Sequence, residues 1–388
     1  MKQKILTLNN ISSKGLDRLP RGQYEISDEI KDPDAILVRS FKMQGFAVGA
    51  NLKAIGRAGA GVNNIPVEEM SKKGIVVFNA PGANANAVKE LVLTGMFLAC
   101  RNICQAWAYT QKLEGDDAKI NKDVEEGKKK FAGFELPGRT LGVIGLGAIG
   151  VLVANAARAL GMNVIGYDPA VTVQNAWMLS SDIKRATSVD DVLQQSDFVT
   201  FHVPLMDATR NMLNAERLRN MKDGVVILNF ARENIVNDEA VLEGLKSGKV
   251  YAYISDFPSK ELIGNDRVIT LPHLGASTEE AEENCAIMVA DQVREFLENG
   301  NIKNSVNFPT VQLPRAAEQR LSVVNENRPD MVSQISRVLG ASNINIVRMV
   351  NESRGDVAYT LMDVSSELSE EILAQIQKIS GVLTLRVM

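Results

Sequence analysis

The segment LGVIGLGAIG (141–150) decides the fold, because an apolar run leads into three glycines at Gly-x-Gly-x-x-Gly spacing. The apolar run indicates a buried strand, and the following residues 151–160, VLVANAARAL, indicate a helix. We expect Gly145 to make the tight turn, Gly147 to let backbone approach a pyrophosphate, and Gly150 to pack helix on strand. The segment therefore predicts a strand-turn-helix unit that binds a dinucleotide at the helix N-terminus.

An acidic residue downstream indicates which dinucleotide this is. The segment NVIGYDP (163–169) predicts a second strand that ends near Asp168, 18 residues after Gly150. A carboxylate at that place holds the ribose hydroxyls and repels a 2′-phosphate. We therefore expect NAD as the cofactor rather than NADP.

Composition excludes several other classes of protein. The chain has 388 residues, 45% hydrophobic and 23% charged, with a net charge of −4, so we expect two or three domains and no nucleic-acid partner. It has no signal-peptide pattern and no apolar run long enough to span a bilayer, so we expect no membrane partner and a cytoplasmic location. Cys100, Cys104 and Cys285 are too few and too scattered for a disulfide framework. We expect reduced thiols and no metal site, rather than a metal or redox pair of Cys100 and Cys104.

Short apolar strands alternate with helical stretches along most of the chain, which is typical of an α/β fold with parallel sheets. The charged stretch 114–130 indicates a solvated connection, and the proline-containing segment 301–318 indicates an inter-domain linker. The remaining residues show the order βαββαβ, which predicts a small ferredoxin-like domain.

Only two histidines, His202 and His273, are available as an acid or base that titrates near neutral pH. Each follows a predicted strand, where open α/β sheets bind ligands. His273 is favoured because TLPHLGAST (270–278) supplies a strand end, a turn and a helix start. Removing hydride from an alcohol requires such a base, a carboxylate to orient it and an arginine to hold a substrate carboxylate. Arg232, at the end of GVVILNFAR (224–232), is the candidate arginine, and a capping or surface role is equally open from spacing alone.

Several motifs resemble those of the D-2-hydroxyacid dehydrogenases. They are GLGAIG (145–150), HVPLMDATRNML (202–213), NFARENIVND (229–238), SDFPSKEL (255–262) and TLPHLGAST (270–278). The block at 54–93 resembles in particular the branch of that family that oxidises 3-phosphoglycerate, and NENRPDMVSQI (325–335) looks like part of an ACT domain.

The resemblance implies two doubly wound, Rossmann-like domains and a ferredoxin-like ACT domain. The substrate domain would be split between residues 1–92 and 274–300, around an NAD-binding domain at 93–273. A linker at 301–318 would lead to an ACT regulatory domain at 319–388. The implied enzyme is an NAD-dependent dehydrogenase, and the nearest alternatives are a glyoxylate or hydroxypyruvate reductase and a non-catalytic NAD-sensing regulator.

Carried over by position, Arg232 matches the family's catalytic arginine and His273 its acid/base histidine. Glu261 would be the carboxylate partner of that histidine. A strict count along SDFPSKEL puts Lys260 in this place instead, so both residues stay candidates.

The resemblance also implies residues that bind substrate and cofactor. Arg57 would bind the substrate phosphate, with Arg39 and Lys42 either as further ligands or as ordinary surface charges, and backbone of Gly82 and Ala83 would donate to the carboxylate. The cofactor contacts would be Ala148 and Ile149 at the pyrophosphate, Val203 and Pro204 near the adenosine, Phe230, Ala231 and Asp256 near the nicotinamide, and Gly275.

In the ACT-like segment, the positions that match an L-serine site are Asn325, Asn327 and Asn345. A domain that only dimerises and binds no ligand is the alternative. The resemblance implies a homo-oligomer, either a dimer or a tetramer.

Overall fold

The computed structural model describes residues 2–388 and divides into two compact units. The first unit comprises Met1–Asn84 with Glu279–Met388, and the second comprises Ala85–Thr278. Within residues 2–388, no single helix is long and apolar enough to cross a membrane. Two consecutive helices, Ala85–Cys100 and Ile103–Thr110, reach that length and composition together, but they are bent by 66° at the break between them.

The N-terminal part of the first unit is a five-stranded parallel sheet with the strand order β2-β1-β3-β4-β5. Its elements are β1 (Gln3–Leu8), α1 (Ser13–Leu16), β2 (Tyr24–Ser27), β3 (Ala35–Val38), β4 (Ala54–Arg57), α2 (Val67–Lys72) and β5 (Val76–Phe78). Strands β1, β3, β4 and β5 are short apolar segments, as the alternating pattern of the sequence predicts. The edge strand β2 was not predicted, because only Tyr24 in it is fully buried and the sequence YEIS shows no apolar run.

The second unit is built on a seven-stranded parallel sheet in the order β12-β11-β10-β9-β6-β7-β8. Its elements are α3 (Ala85–Cys100), α4 (Ile103–Thr110), α5 (Asp117–Gly127), β6 (Thr140–Ile144), α6 (Ala148–Ala159), β7 (Asn163–Tyr167), α7 (Val173–Met178), β8 (Lys184–Arg185), α8 (Val189–Gln195), β9 (Phe198–Phe201), α9 (Ala215–Arg219), β10 (Val225–Asn229), α10 (Asp238–Ser247), β11 (Val250–Ser255) and β12 (Val268–Thr270). The strand order reverses between β6 and β9, and such a switch point is where doubly wound sheets bind ligands.

The charged stretch at 114–130 contains a helix, so its expectation as a mere connection was wrong. Helix α5 begins after Asp116, whose carboxylate accepts a hydrogen bond from the backbone N–H of Lys119 at 2.9 Å. Lys119 also pairs with Asp123 one turn later, at 3.2 Å. The cap and the i,i+4 pair stabilise a helix that has no apolar stripe to reveal it.

Helix α3 places the boundary of the second unit earlier than residue 93. Its buried side chains Val88, Val92 and Met96 pack in one cluster with Leu141 and Val143 of β6. The whole helix therefore belongs with the seven-stranded sheet, and the units divide at 84/85 and 278/279.

The C-terminal part of the first unit has the order βαββαβ, as predicted for a ferredoxin-like domain. After α11 (Glu279–Asn299) come β13 (Gln319–Glu326), α12 (Met331–Ala341), β14 (Ile346–Arg354), β15 (Val357–Val364), α13 (Glu370–Gln377) and β16 (Val382–Val387). The four strands form an antiparallel sheet in the order β14-β15-β13-β16. Both the parallel-sheet α/β domains and this antiparallel sheet are therefore present.

The segment expected as a linker is packed into the first unit. Ile302 and Val311 form an antiparallel bridge, and Phe308 is buried 6.4 Å from the ring of Tyr359 in β15. The side chain of Asn307 accepts from the N–H of Val77 at 2.8 Å and also donates to backbone on the same edge. These buried hydrogen bonds satisfy polar groups that in the sequence alone indicate a solvated segment.

Candidate active site

The three fingerprint glycines form the turn that a pyrophosphate needs. Gly145 has φ +93°, and a Cβ there would lie 2.5 Å from the carbonyl oxygen of His202. A Cβ on Gly150 would lie 1.9 Å from the carbonyl oxygen of Gly145, so helix and strand pack too closely for a side chain. Among residues 2–388, nothing lies within 4 Å of a Cβ placed at Gly147, and no side chain caps the helix that begins at Ala148. The N-terminus of α6 therefore faces open space, and its N–H groups can bind an anion.

Asp168 lies directly after β7 and contacts the same turn. One carboxylate oxygen accepts from the N–H of Leu146 at 2.8 Å, and the other accepts from the N–H of Ala170 at 2.8 Å. Each carboxylate oxygen can accept a second hydrogen bond. The half-buried carboxylate is thus fixed next to the glycine turn with capacity left for ribose hydroxyls.

The other cofactor candidates follow neighbouring strands of the same sheet. Val203 and Pro204 come after β9, while Phe230 and Ala231 are buried directly after β10. Because the carboxyl ends of parallel strands meet at one edge, these residues lie at the edge that carries the fingerprint.

His202 is less exposed than His273 and makes its contacts within its own sheet. Burial lowers its pKa to about 3, so the ring is neutral at physiological pH. Its Nε2 lies 3.0 Å from the hydroxyl of Thr200, and its backbone N–H donates to Ile144 at 2.7 Å. This histidine supports the contact between β9 and β6.

His273 is exposed, and its backbone has φ +56°, in the left-handed region that few non-glycine residues adopt. The imidazole ring lies 5.1 Å from the ring of Phe257. An exposed imidazole on a constrained turn after β12 suits a group that exchanges a proton with a ligand.

Asp256 holds the turn that carries His273. It is 1% exposed, and its two carboxylate oxygens accept from the N–H groups of Leu274 at 2.8 Å and Gly275 at 2.7 Å. Its backbone carbonyl accepts from the N–H of His273 at 3.1 Å. Asp256 and Gly275, predicted as cofactor contacts, are therefore bound to each other within the chain, a role that the sequence did not indicate.

Arg232 lies just beyond β10 with an exposed side chain. Its Nη1 donates to the carbonyl oxygen of Ala231 at 2.7 Å. The side chain of Asn229 donates to the carbonyl oxygen of Arg232 at 3.0 Å and accepts from the N–H of Ala231 at 3.3 Å. Asn229 thus closes the turn from which the arginine projects.

The structure does not pair His273 with either candidate partner. Glu261 and Lys260 are both exposed in the segment after β11, and within residues 2–388 the contact made by the His273 ring is Phe257. Burial raises the pKa of Asp238, and the charges of Glu233 and Glu261 raise it further. The predicted partnership of Glu261 with His273 stays a prediction.

Arg57 and Lys42 line an open pocket of about 450 Å³ in the first unit. We call it the cationic pocket, and its lining is Ser40, Lys42, Gln44, Arg57, Asn63 and Asn64. Arg57 ends β4, and its Nε donates to the carbonyl oxygen of Arg39 at 3.0 Å. The guanidinium of Arg39 is instead paired with Glu282 in α11, so the structure places only the backbone of Arg39 beside Arg57.

Gly59 is a residue that sequence reasoning missed. Its φ is +152°, and a Cβ there would lie 1.7 Å from Nη1 of Arg57. Glycine therefore leaves the space in which the Arg57 side chain lies. The sequence signal for this residue is the repeated glycine in RAGAG (57–61), which has no Gly-x-Gly-x-x-Gly spacing to draw attention to it.

Gly82 and Ala83 follow β5, the strand that pairs with β4 and so lies beside the strand that Arg57 ends. Gly82 has φ +78° in the turn after β5, and both residues line an open groove of about 1060 Å³ along α11. Neither lines the cationic pocket.

The three asparagines of the expected serine site are not brought together within one chain. Asn325 is 1% exposed in β13 and pairs with Ala358 at the start of β15. Asn327 follows it in an exposed turn, where its side chain donates to Gly355 at 2.9 Å. Asn345 lies beyond the other end of β15, roughly 20 Å away at ~3.3 Å per residue.

Residues 93–275 match the family model of the D-isomer specific 2-hydroxyacid dehydrogenase, NAD binding domain. D-3-phosphoglycerate dehydrogenase of Haemophilus influenzae is 32% identical over the full chain and 97% of its own length. The chain belongs to the D-isomer specific 2-hydroxyacid dehydrogenases. Its fingerprint unit is the NAD-binding domain of this family, and NAD is its cofactor.

Two further relatives define the extent of the similarity. D-3-phosphoglycerate dehydrogenase of Methanocaldococcus jannaschii is 40% identical over 74% of this chain, which spans only 54% of that protein's length. The NAD⁺-bound 3-phosphoglycerate dehydrogenase of Entamoeba histolytica has a TM-score of 0.61 at 26% identity, over 79% of this chain and 99% of its own. The solved relative thus leaves about a fifth of this chain unmatched.

Proposed function

We propose that this chain oxidises 3-phospho-D-glycerate to 3-phosphohydroxypyruvate with NAD, the first step of L-serine biosynthesis. The observation that carries the proposal is the cationic pocket, where Arg57 and Lys42 face the same space. A substrate phosphate is a dianion. Two cations with amide donors around them bind such a dianion more strongly than they bind the uncharged hydroxyl of an unphosphorylated substrate. The names of the relatives support the same substrate.

The residues of the site divide the chemistry between them. NAD, when bound, supplies the acceptor for the hydride of the substrate. His273 takes the proton of the C2 hydroxyl, and Arg232 holds carboxylate and hydroxyl oxygens. Backbone N–H groups of Gly82 and Ala83 donate to the carboxylate, and Glu261 supports the cationic form of His273.

Regulation and assembly are part of the proposal. Residues 319–388 would be an ACT domain with L-serine as effector, in a cytoplasmic homodimer or homotetramer. Since Asn345 lies at the far end of the sheet from Asn325 and Asn327, an L-serine site made of all three requires two copies of the chain. The free thiols of Cys100 and Cys285, both buried, fit a reducing compartment.

NADH formation from 3-phosphoglycerate, with and without L-serine, tests substrate and regulation together. We expect 3-phosphoglycerate to be preferred over D-glycerate, and Arg57→Ala to raise KM for the phosphorylated substrate at least about tenfold while D-glycerate is little affected. His273→Asn should lower kcat at least about 100-fold without backbone strain, because asparagine tolerates positive φ.

The same assay separates the alternatives. Faster reduction of glyoxylate or hydroxypyruvate than oxidation of 3-phosphoglycerate, unchanged by Arg57→Ala, would make the chain a reductase of those acids. NADH binding without turnover, or turnover that His273→Asn leaves intact, would contradict the proposed chemistry.

A further inference from the structure

Asn9 follows β1 in the first unit and contacts the loop that leads out of β3. Its backbone has φ +70°, in the left-handed region that asparagine adopts more readily than most residues. Its side-chain Oδ1 accepts hydrogen bonds from the backbone N–H groups of Ser40 at 3.0 Å and Phe41 at 2.5 Å. Since a backbone N–H can only donate, these two contacts fix the orientation of the amide. One side chain therefore holds two consecutive peptide units of the neighbouring loop.

The strand order of the sheet explains this contact. Strand β1 is parallel to β3 and adjacent to it, and β3 is in turn adjacent to β4, so the carboxyl ends of all three strands lie at one edge. Asn9 follows the first of these strands, the irregular loop 39–46 follows the second, and Arg57 ends the third. The loop therefore lies between the asparagine that holds it and the arginine of the cationic pocket.

The loop 39–46 supplies part of the cationic pocket. Ser40 and Lys42 line the pocket, and the backbone carbonyl of Arg39 accepts from Nε of Arg57 at 3.0 Å. The position of the loop backbone thus determines both where the side chain of Lys42 begins and how the guanidinium of Arg57 is oriented.

Asn64 holds the same loop through different groups. Its side-chain Nδ2 donates to the carbonyl oxygens of Phe41 at 2.8 Å and Arg39 at 3.3 Å, and its backbone carbonyl accepts from the N–H of Met43 at 2.8 Å. In the part of the chain that the structure describes, the lining of the cationic pocket includes Asn64 but not Asn9. An effect of Asn9 on the pocket is therefore transmitted by the loop backbone.

We propose that Asn9 is a positioning residue of the cationic pocket, which keeps Lys42 and Arg57 arranged for a phosphate group before the substrate binds. The inference rests on the proposed function, since it assigns this pocket to the phosphate of 3-phosphoglycerate. Two hydrogen bonds to an irregular loop reduce the number of conformations that the loop samples, so less ordering is needed when the dianion binds. Because Asn9 acts on phosphate binding alone, its loss should weaken substrate binding without slowing the chemical step.

Steady-state kinetics of Asn9→Gly with 3-phosphoglycerate test the proposal. Glycine adopts positive φ readily, so this substitution removes the acceptor without straining the backbone. We expect KM for 3-phosphoglycerate to rise at least about threefold, because two hydrogen bonds to the loop are lost. The values of kcat and of KM for NAD should stay within about twofold of the parent.

Two further variants separate positioning from a general loss of structure. Asn9→Asp keeps an acceptor oxygen and tolerates the same φ, so its KM for 3-phosphoglycerate should stay within about twofold of the parent. The matched control is Asn10→Gly, which changes the exposed neighbouring asparagine in the same way and should leave KM equally unaffected.

The outcomes distinguish this inference from the proposed function. A parent protein that does not oxidise 3-phosphoglycerate would overturn the proposed function and this inference with it. If the parent oxidises 3-phosphoglycerate and Asn9→Gly keeps the parental KM, or lowers kcat instead, the inference alone fails. An Asn9→Asp protein with the raised KM of Asn9→Gly would also overturn it. Should Asn9→Gly not fold, Asn9→Ser has a shorter side chain with a single oxygen and must raise KM in the same way.

Discussion

The carboxylate of Asp256 fixes the turn that presents His273, because it accepts both backbone N–H groups that follow the histidine. In Asp256→Asn, one of these N–H groups of Leu274 or Gly275 would face an NH₂ group, and the turn would shift. We expect kcat to fall up to about 100-fold, as for other small displacements of a catalytic group, with NADH affinity changed less. Asp266→Asn, an exposed aspartate before β12, is the control. A kcat for Asp256→Asn within about twofold of the parent would show that the turn does not depend on this carboxylate.

Glu261 and Lys260 are the two candidate partners of His273, and substituting each in turn distinguishes between them. If Glu261 supports the histidine, Glu261→Gln lowers kcat/KM for 3-phosphoglycerate about 10- to 100-fold, since the carboxylate no longer stabilises the cation. Lys260→Gln then stays within about twofold of the parent. The reverse order of effects in steady-state kinetics would assign the role to Lys260.

The sequence predicted which functional side chains follow the strands, but it did not predict which residues those side chains contact. His273 and Arg232 follow apolar runs in the sequence, and the structure places both beyond the carboxyl ends of parallel strands. The pairing of Arg39 with Glu282 joins positions far apart in the chain, so no local pattern could reveal it. The same holds for Asp256, whose carboxylate contacts residues 18 and 19 positions further on.

At the scale of helices and strands, apolar periodicity predicted the elements that bury a continuous face. It failed for β2, an edge strand with one fully buried residue, and for α5, which is held by a cap and ion pairs. A buried face gives a periodic pattern of apolar residues in the sequence. A strand paired at the edge of a sheet, or a helix held by surface charges, gives no such pattern.

Two glycines of the fingerprint have different roles: Gly150 lets helix and strand pack, and Gly147 leaves room for the cofactor. In Gly150→Ala, the new methyl group would overlap the carbonyl oxygen of Gly145, forcing α6 away from β6. We expect about 1–3 kcal/mol of lost stability and weaker NADH binding. Gly147→Ala meets open space, so stability should be preserved while the methyl group hinders pyrophosphate approach and NADH affinity falls.

Chemical denaturation and NADH titration of both variants check this expectation. Stability lost in Gly147→Ala to the same extent as in Gly150→Ala would contradict the packing argument. NADH affinity unchanged in Gly147→Ala would contradict the placement of the pyrophosphate at this turn.

At the scale of the whole molecule, the sequence predicted two kinds of sheet and the βαββαβ order, but not how the C-terminal part is attached. Tyr359 of β15 packs with Phe296 and Phe308 in the cluster that also contains Ile5 of β1. Residues 319–388 therefore share a core with the N-terminal sheet. Long-range packing of this kind joins segments more than 300 residues apart, whereas the composition of 301–318 indicated an inter-domain linker.

This shared core predicts that the first unit unfolds cooperatively. Met362 lies in the separate cluster on the helix-covered side of the antiparallel sheet, so Met362→Ala leaves the shared core untouched. It should destabilise by about 2–5 kcal/mol. Hydrogen exchange should show the amides of β3 and β4 losing the same protection as those of β13 and β15, because one opening event exposes them all. Loss of protection confined to residues 319–388 would mean that the C-terminal part unfolds on its own and that the shared core does not couple the two sheets.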